Sequence, residues 1–281
     1  MKCSRKPKSL EFFQVPRRLW RKLKRLLPPV RRQRQRGRPP ADVRAVWNGI
    51  WYVLWTGCQW KAIKREWFGM SSSVLHQRFQ LWQQTGLFAR LFQRVVRFYA
   101  REQGIGWQWQ ALDSKSCPAP LGGAATGPNP TDRAKAGSKI HLLVDQRGAP
   151  LAGCISGANY PDHRALPELV LSMIVERPTF RQHLCADRSY DYPSVHQFLT
   201  QAGHHTHIKH RRLRNEPPAS VVVPADHLHP ARRWVVERTF NWLVKRRSLR
   251  VRWAKKSQNW LALVQFACAD ILCNMALYPP V

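Results

Sequence analysis

Three carboxylates stand where acids are scarce and costly. The 281-residue chain carries 47 Lys and Arg against 16 Asp and Glu, a formal charge of +31. Two of the few acids, Asp113 and Asp187, close apolar, strand-like runs: Trp109-Gln110-Ala111-Leu112-Asp113 and His183-Leu184-Cys185-Ala186-Asp187. A third, Glu237, lies in the amphipathic stretch Arg233 to Leu243. Carboxylates at strand ends lose hydration and cost energy unless they are paired or bound to a metal. Their oxygens suit hard divalent cations, and a polycationic chain suits a polyanionic substrate, so the set points to metal-assisted chemistry on a polyanion. The plainer alternative is three unrelated acids, each in a local ion pair with one of the many arginines. For any single acid it is the better reading; flanking sequence and spacing argue for the set.

To bring the three together the chain needs a sheet for the first two and a helix for the third. From Gly106 onward the pattern predicts strands at 108–113, 139–145 and 150–156, the last two joined by a hairpin turn at Gln146-Arg147-Gly148. A helix over about 163–175, a strand at 183–187, a helix at 193–202, a strand at 205–210 and helices over 231–247 and 258–277 follow. The Gly/Pro-rich stretch Pro118 to Pro130 reads as a loop. Three strands, a helix, a strand ending in an acid and a later acid-bearing helix is the order of a ribonuclease H-like domain. There the first and fourth strands are neighbours, so Asp113 and Asp187, 187 − 113 = 74 residues apart, can meet.

The N-terminal part has a different pattern. Residues 1–40 hold 15 Lys and Arg and one acid, Glu11. They read as a basic arm with one short helix, Arg17 to Leu27, and with Arg31 to Arg38 able to lie along phosphates or simply be solvated. Residues 41–105 read as an all-helical, helix-turn-helix-like DNA-binding domain. Val43, Val46, Trp47, Ile50 and Leu54 recur at helical spacing, and Gly57 is placed to end that helix. Ser71 offers the next N-cap, Leu75, Phe79 and Trp82 form an apolar stripe, and His76, Gln77, Arg78, Gln80, Gln83 and Gln84 form a polar face. Gln pairs with adenine edges and Arg with guanine or phosphate, so Gln77, Arg78 and Gln84 are candidate DNA contacts. Residues 106–281 are expected to form a mixed-sheet catalytic domain, giving a fold class of α+β or α/β.

A hydrophobic fraction of 44% is ordinary for a globular protein, so the charge does not signal disorder, and a pI near 11.2 favours nucleic acid as partner. Seven cysteines without a CxxC pair favour reduced, buried thiols over a disulfide framework. The run Trp260 to Tyr278 carries Gln265, Asp270 and Asn274 and reads as a buried helix rather than a membrane span. A soluble, cytoplasmic protein is expected.

The local phrases resemble those of DDE transposases from bacterial insertion sequences, most closely the family numbered five. The similar segments are Ala111-Leu112-Asp113-Ser114-Lys115, Lys139 to Asp145, Ala186-Asp187-Arg188-Ser189-Tyr190-Asp191 and Arg232 to Phe240. Leu26-Leu27-Pro28-Pro29, Gly37-Arg38-Pro39 and Tyr52 to Trp60 extend the likeness over nearly the whole chain. The resemblance implies that Asp113, Asp187 and Glu237 are a catalytic triad holding two Mg²⁺ (or Mn²⁺). It implies double-stranded DNA as partner, both terminal inverted repeats and target, a homo-oligomer assembled on DNA, and a bacterial, nucleoid-associated location. Arg188, Arg233 and Arg238 are then placed to meet phosphate. The wider group has Tyr seven residues before the Glu, Arg four before it and Lys seven after it. Arg233 fits, but Pro230 and Val244 replace the other two, and Lys245 falls about 80° around the helix from Glu237. Two alternatives remain: a same-fold nuclease without strand transfer, and an inactive transposase-derived DNA-binding protein.

Three further features carry less. His204, His205, His207 and His210, with His227 and His229 nearby, invite a zinc reading, but the Cys or carboxylate spacing of a tetrahedral site is absent. Asp145 falls at a hairpin turn, where Asp serves conformation. Asp191 is expected to cap the helix that begins near Pro193.

Overall fold

A computed structural model describes residues 13–27, 41–211 and 232–278. The expectations for the Arg31–Arg38 arm, Pro230, His227 and His229 lie outside the described residues. Five helices come first: α1 (Arg17–Lys24), α2 (Val43–Thr56), α3 (Arg65–Phe68), α4 (Ser72–Gln84) and α5 (Leu87–Gln103). The order continues through β1 (Trp109–Pro118), β2 (Gly127–Pro128), β3 (Ala136–Asp145), β4 (Pro150–Gly157), α6 (Asp162–Leu171), β5 (Gln182–Ala186), α7 (Pro193–Gln201) and β6 (His204–Ile208). Helices α8 (Trp234–Leu243) and α9 (Ser257–Leu277) complete it.

Local sequence sets the helix ends. Asp42 caps α2, its carboxylate accepting from Arg44 N, and Gly57 in the left-handed conformation closes the helix by donating its amide to Val53. The Ser71 hydroxyl accepts from Val74 N at the start of α4. Tyr192 occupies the N-cap of α7 without a side-chain bond. Asp191, expected there, accepts instead from His196 Nε2 at 2.8 Å, His210 Nδ1 at 3.0 Å and Arg211 N at 2.7 Å. Two imidazoles and an amide outcompete the helix end for its oxygens.

The sheet has β3 at its turning point: β4 and β1 flank it antiparallel, and β5 and β6 continue parallel from β1. This is the ribonuclease H-like arrangement, behind an N-terminal helical region. Trp109, Gln110 and Ala111 pair with His183, Leu184 and Cys185, an offset of 183 − 109 = 74 residues. Asp113 and Asp187 have that same offset, so they stand level just past the last paired rung. Strand β1 runs on to Pro118, so Asp113 lies mid-strand rather than at the end that the sequence pattern predicts. It stays paired with β3, opposite Leu142. Its register with β5 stops at Ala111, and the acids face the fork where the two strands part. Crevices at the carboxyl ends of parallel strands are where open sheets place ligands.

Alternation assigns the faces. Leu112, Leu184 and Ala186 pack with α6 and α7. Ala111, Leu142 and Cys185 belong to the cluster that contains Val235 and Val236 of α8, so Asp113 and Asp187 project toward α8. That cluster crosses the boundary expected near residue 105: Trp47, Trp51 and Phe88 all meet Phe266 of α9 with ring centroids 5.2–5.8 Å apart. Leu19 and Leu23 of α1, inside the expected arm, are also buried in it. Helix α9 has the length and apolarity of a membrane span, yet most of it is buried in this core.

Helix α8 is pinned to the β3–β4 hairpin. Thr239 Oγ1 donates to Gly148 O at 2.7 Å, and Arg238 Nη2 donates to Arg147 O at 2.7 Å. Asp145 holds the turn from inside, accepting from Tyr99 Oη, Gly106 N, Arg147 N and Ala149 N at 2.9–3.0 Å. Gly148 has φ +83°, and a Cβ there would lie 2.8 Å from Thr239 Oγ1. Gly148→Ala should therefore cost about 1–3 kcal/mol of stability, read by urea denaturation, because backbone strain and a clash with α8 act together. Wild-type stability in that variant would show that the turn does not set the height of α8.

Candidate active site

Arg233, in the first turn before α8, reaches across to the sheet. Its Nη1 lies 2.5 Å from Asp187 Oδ1 and its Nη2 2.8 Å from Glu237 Oε1. One guanidinium thus spans the acid that follows β5 and the acid on α8. Asp113 faces the same group from β1, close enough for the charges of Arg233 and Asp187 to act on its carboxyl. The i, i+4 spacing of Arg233 and Glu237 suggests a simple surface pair, but the contact with Asp187 makes the arginine a bridge between two elements. All three bridged side chains remain about 40–48% exposed, open to solvent and ligand.

The electrostatics separate Asp113 from the others. Burial pushes its carboxyl up to about 6, and the Asp187 and Asp162 charges push the same way. Ser114 N, 2.7 Å from Asp113 Oδ1, and the Arg233 guanidinium pull against that rise. Burial also works against the Arg233 charge, but Asp187, Asp113 and Glu237 outweigh it and hold its pKa above the ordinary value. Asp162, at the start of α6, was not singled out from sequence. It pairs with Lys139 Nζ at 2.8 Å, and its only sequence signal is an acid in a first helical turn.

Among the described residues no group of three or more His, Cys, Asp or Glu side chains is disposed to hold a metal ion. The donor chemistry fits one nonetheless: the acids are oxygen ligands, and a guanidinium stands in the place of a cation between two of them. Among the described residues the histidines form no group of three disposed to hold a metal ion. His183 Nδ1 lies 2.8 Å from His207 Nε2, the His183 ring stacks on His205, and His210 is taken by Asp191.

The other expected DNA contacts divide. Arg188 is exposed beside Asp187. Arg238, half-buried, donates to Arg147 O and lies between Trp234 and Trp242, 4.9 and 5.0 Å from their ring centroids. Helix α8 stops at Leu243, short of the expected 247, so Lys245 is exposed in the following segment and the helical angle relating it to Glu237 does not apply. The next residue explains the early end. Arg246 turns inward to the buried Asp270 carboxylate and stacks on Trp55. Gln77, Arg78 and Gln84 are exposed on α4, whereas His76 and Gln80 turn toward Trp60 and bond to each other at 3.1 Å. The polar face of α4 is narrower than the sequence pattern implies.

Above pH 6 a folded-state carboxyl with a raised pKa opposes folding, since the unfolded chain ionises it more easily. That penalty is absent below about pH 4 and grows as pH rises through 6. Asp113→Asn should then be more stable than wild type by on the order of 2 kcal/mol at pH 8, the gain vanishing toward pH 4, in paired urea titrations. A variant less stable at pH 8 would mean that Asp113 is already well solvated or paired.

The comparisons with known proteins agree with this geometry. A family model described as "Transposase DDE domain" matches residues 109–270, and one described as "Putative transposase of IS4/5 family" matches residues 15–92. A "Putative transposase for insertion sequence element IS402" of Burkholderia cepacia is 35% identical over 155 residues, 53% of this chain and 69% of that protein. An "Insertion element IS402 uncharacterized 16.2 kDa protein" of the same organism is 32% identical over 114 residues, 40% of this chain and 78% of that one. Among solved structures, the "Mos1 transposase paired-end complex with left transposon end" gives a TM-score of 0.26 at 14% identity, covering 62% of this chain and 61% of that chain. The "Crystal structure of the catalytic domain of Mos1 mariner transposase" gives 0.27 at 12%, covering 66% and 94%. Overlap that slight is too little to argue from. The match over residues 109–270, which contains all three acids and the arginine that bridges two of them, places the chain in the DDE transposase-domain family.

Proposed function

We propose that this chain is an active transposase that binds the ends of its own element and catalyses metal-dependent cleavage and strand transfer of DNA. The observation that carries the reading is the arginine bridge: Asp187 and Glu237 share one cation, with Asp113 on the same face of the sheet. Asp113, Asp187 and Glu237 would hold two Mg²⁺ or Mn²⁺ ions. Bound there, such a pair supplies a stabilised attacking oxygen, a neutralised phosphate and a stabilised leaving oxygen. The remaining work falls to the protein. Arg233, released from the acids, would turn to another anion, and a DNA phosphate is the natural one. Arg188, exposed beside Asp187, meets the same backbone. Lys245, exposed after α8, is a weaker candidate for a phosphate farther along the duplex. Gln77, Arg78 and Gln84 on α4 read the end sequence, while the excess of basic charge supplies salt-sensitive, sequence-independent affinity.

The pinned position of α8 favours an enzyme over an inactive binding protein. The hairpin bonds of Arg238 and Thr239 fix Glu237 opposite the fork of β1 and β5, a placement DNA binding alone does not require. The test uses one labelled duplex carrying the inverted repeats that flank the gene, with binding read by gel shift and cutting by product length. Asp113→Asn, Asp187→Asn and Glu237→Gln should each keep binding and lose cleavage by roughly a hundredfold or more, because a misplaced reacting group costs at least that. Undiminished cutting in all three would remove the triad from the chemistry. Binding without any cutting by the wild type in Mg²⁺ and Mn²⁺ would favour the inactive form, and cutting without joining would favour a nuclease.

A further inference from the structure

The turn that follows Asp187 carries a further carboxylate that the proposed chemistry does not use. Arg188–Tyr190 form one 3₁₀ turn, in which Tyr190 N donates to Asp187 O at 2.9 Å and Asp191 N to Arg188 O at 3.1 Å. Tyr190, 1% exposed, roots the turn in the core between the sheet, α6 and α7. Asp191 therefore has a set place on the turn, and both of its oxygens are taken. Oδ1 accepts from His196 Nε2 at 2.8 Å, and the other nitrogen of that ring lies 2.9 Å from Thr206 Oγ1 on β6. Oδ2 accepts from Arg211 N at 2.7 Å and His210 Nδ1 at 3.0 Å. The Arg211 amide first, and then the two imidazoles, hold the Asp191 carboxyl below the ordinary range against the push of burial. A charged carboxylate is spent on one backbone amide, so the thing it fixes is the path of residue 211.

Arg211 is exposed and held at both ends. Beyond its amide, Nη1 donates to Tyr192 Oη at 2.8 Å, and the guanidinium lies 5.8 Å from the Tyr192 ring centroid. That ring rests on His163 of α6, with centroids 3.9 Å apart. Among the described residues no carboxylate pairs with the Arg211 guanidinium, which keeps donors to offer. An arginine that served only to tie a loop down would turn its fork to an acid, as Arg246 does with Asp270. The sheet places this one. Strands β5 and β6 are parallel, with Ala186 level with Ile208. Arg211 follows the carboxyl end of β6 as Asp187 follows that of β5, and open sheets hold ligands along that edge. Adjacent strands lie about 4.8 Å apart, so the segment leaving β6 is one strand farther along the edge than Asp187.

We propose that Asp191 is a positioning residue: with Tyr192 it holds Arg211 at the rim of the acid site as a fixed contact for a phosphate of the DNA strand that lies there. The inference rests on the reading of the chain as a DNA-cutting enzyme. A free arginine loses rotamer freedom when it grips a phosphate, and holding it beforehand removes that cost.

The experiment measures binding of the full chain to the end-bearing duplex across a salt series. Losing one phosphate contact lowers the slope of log K against log salt by about 0.9, which is about eightfold in affinity near 0.1 M salt. Arg211→Ala should show both changes. Asp191→Asn should show them too, although deleting a negative charge from a surface that meets DNA would by charge alone tighten binding. In the Arg211→Ala background Asp191→Asn should add nothing, because both changes remove one contact. Tyr192→Phe keeps the ring and loses only the hydroxyl, and it should weaken binding only while Arg211 is present. Circular dichroism checks each fold, and Arg211→Ala and Tyr192→Phe give the answer even if Asp191→Asn fails to fold. An unchanged slope in Arg211→Ala would overturn the proposal while leaving DNA binding by the wild type intact. So would tighter binding by Asp191→Asn, or the same response to Asp191→Asn or Tyr192→Phe with and without Arg211. A wild type that binds no end-bearing duplex would sink the DNA reading and this contact with it.

Discussion

The Arg233 guanidinium between Asp187 and Glu237 is the contact through which the parts of this fold meet. It joins the residue after β5 to a residue on α8, two elements separated in sequence by 50 residues (237 − 187), and it does so over the fork where β1 leaves β5. Half-exposed ion pairs add little stability on their own. Their value here lies in arrangement: acids that would repel one another are held on one face around a single guanidinium. A hydrophobic contact in its place would stabilise as much and leave nothing to exchange.

The rest of the molecule keeps that face at the right height. Strand pairing sets Asp113 and Asp187 level, and the hairpin bonds of Thr239 and Arg238 set α8 above them. Behind α8, Arg246 carries the chain into the core, where Asp270 of α9 and Trp55 of α2 receive it. The aromatic cluster around Phe266 then makes the helical region and the sheet one body. Breaking the buried Arg246–Asp270 pair by removing one partner would cost several kcal/mol, since the other charge would be left without compensation.

Much of this was legible in the sequence, and the failures have physical reasons. Acids after apolar runs, helical spacing through Leu54, Gly57 as a stop and Ser71 as a cap are local signals, and local signals survive folding. The strand and helix order told of a ribonuclease H-like sheet, and the 74-residue interval matched its register. What the sequence could not reveal was competition between partners. Asp191 left its helix for two histidines, and α8 ended early because Arg246 had a buried carboxylate to reach. The bridge from Arg233 to Asp187 was hidden in the same way, since an i, i+4 neighbour explained the arginine without it. A change in periodicity marks the shift near residue 105, but periodicity says nothing about which helices share a core.

If Arg233 holds the place of a cation, manganese binding to the DNA-free protein reveals it most directly. Titration of Mn²⁺ followed by electron paramagnetic resonance, on wild type and Arg233→Ala, measures whether the guanidinium competes for the acids. The variant should bind about tenfold tighter, the equilibrium effect of removing two half-exposed ion pairs worth roughly 0.5–1 kcal/mol each. Equal or weaker binding in Arg233→Ala would show that the arginine helps to build the site rather than occupying it, and would contradict the exchange on which the proposed chemistry depends.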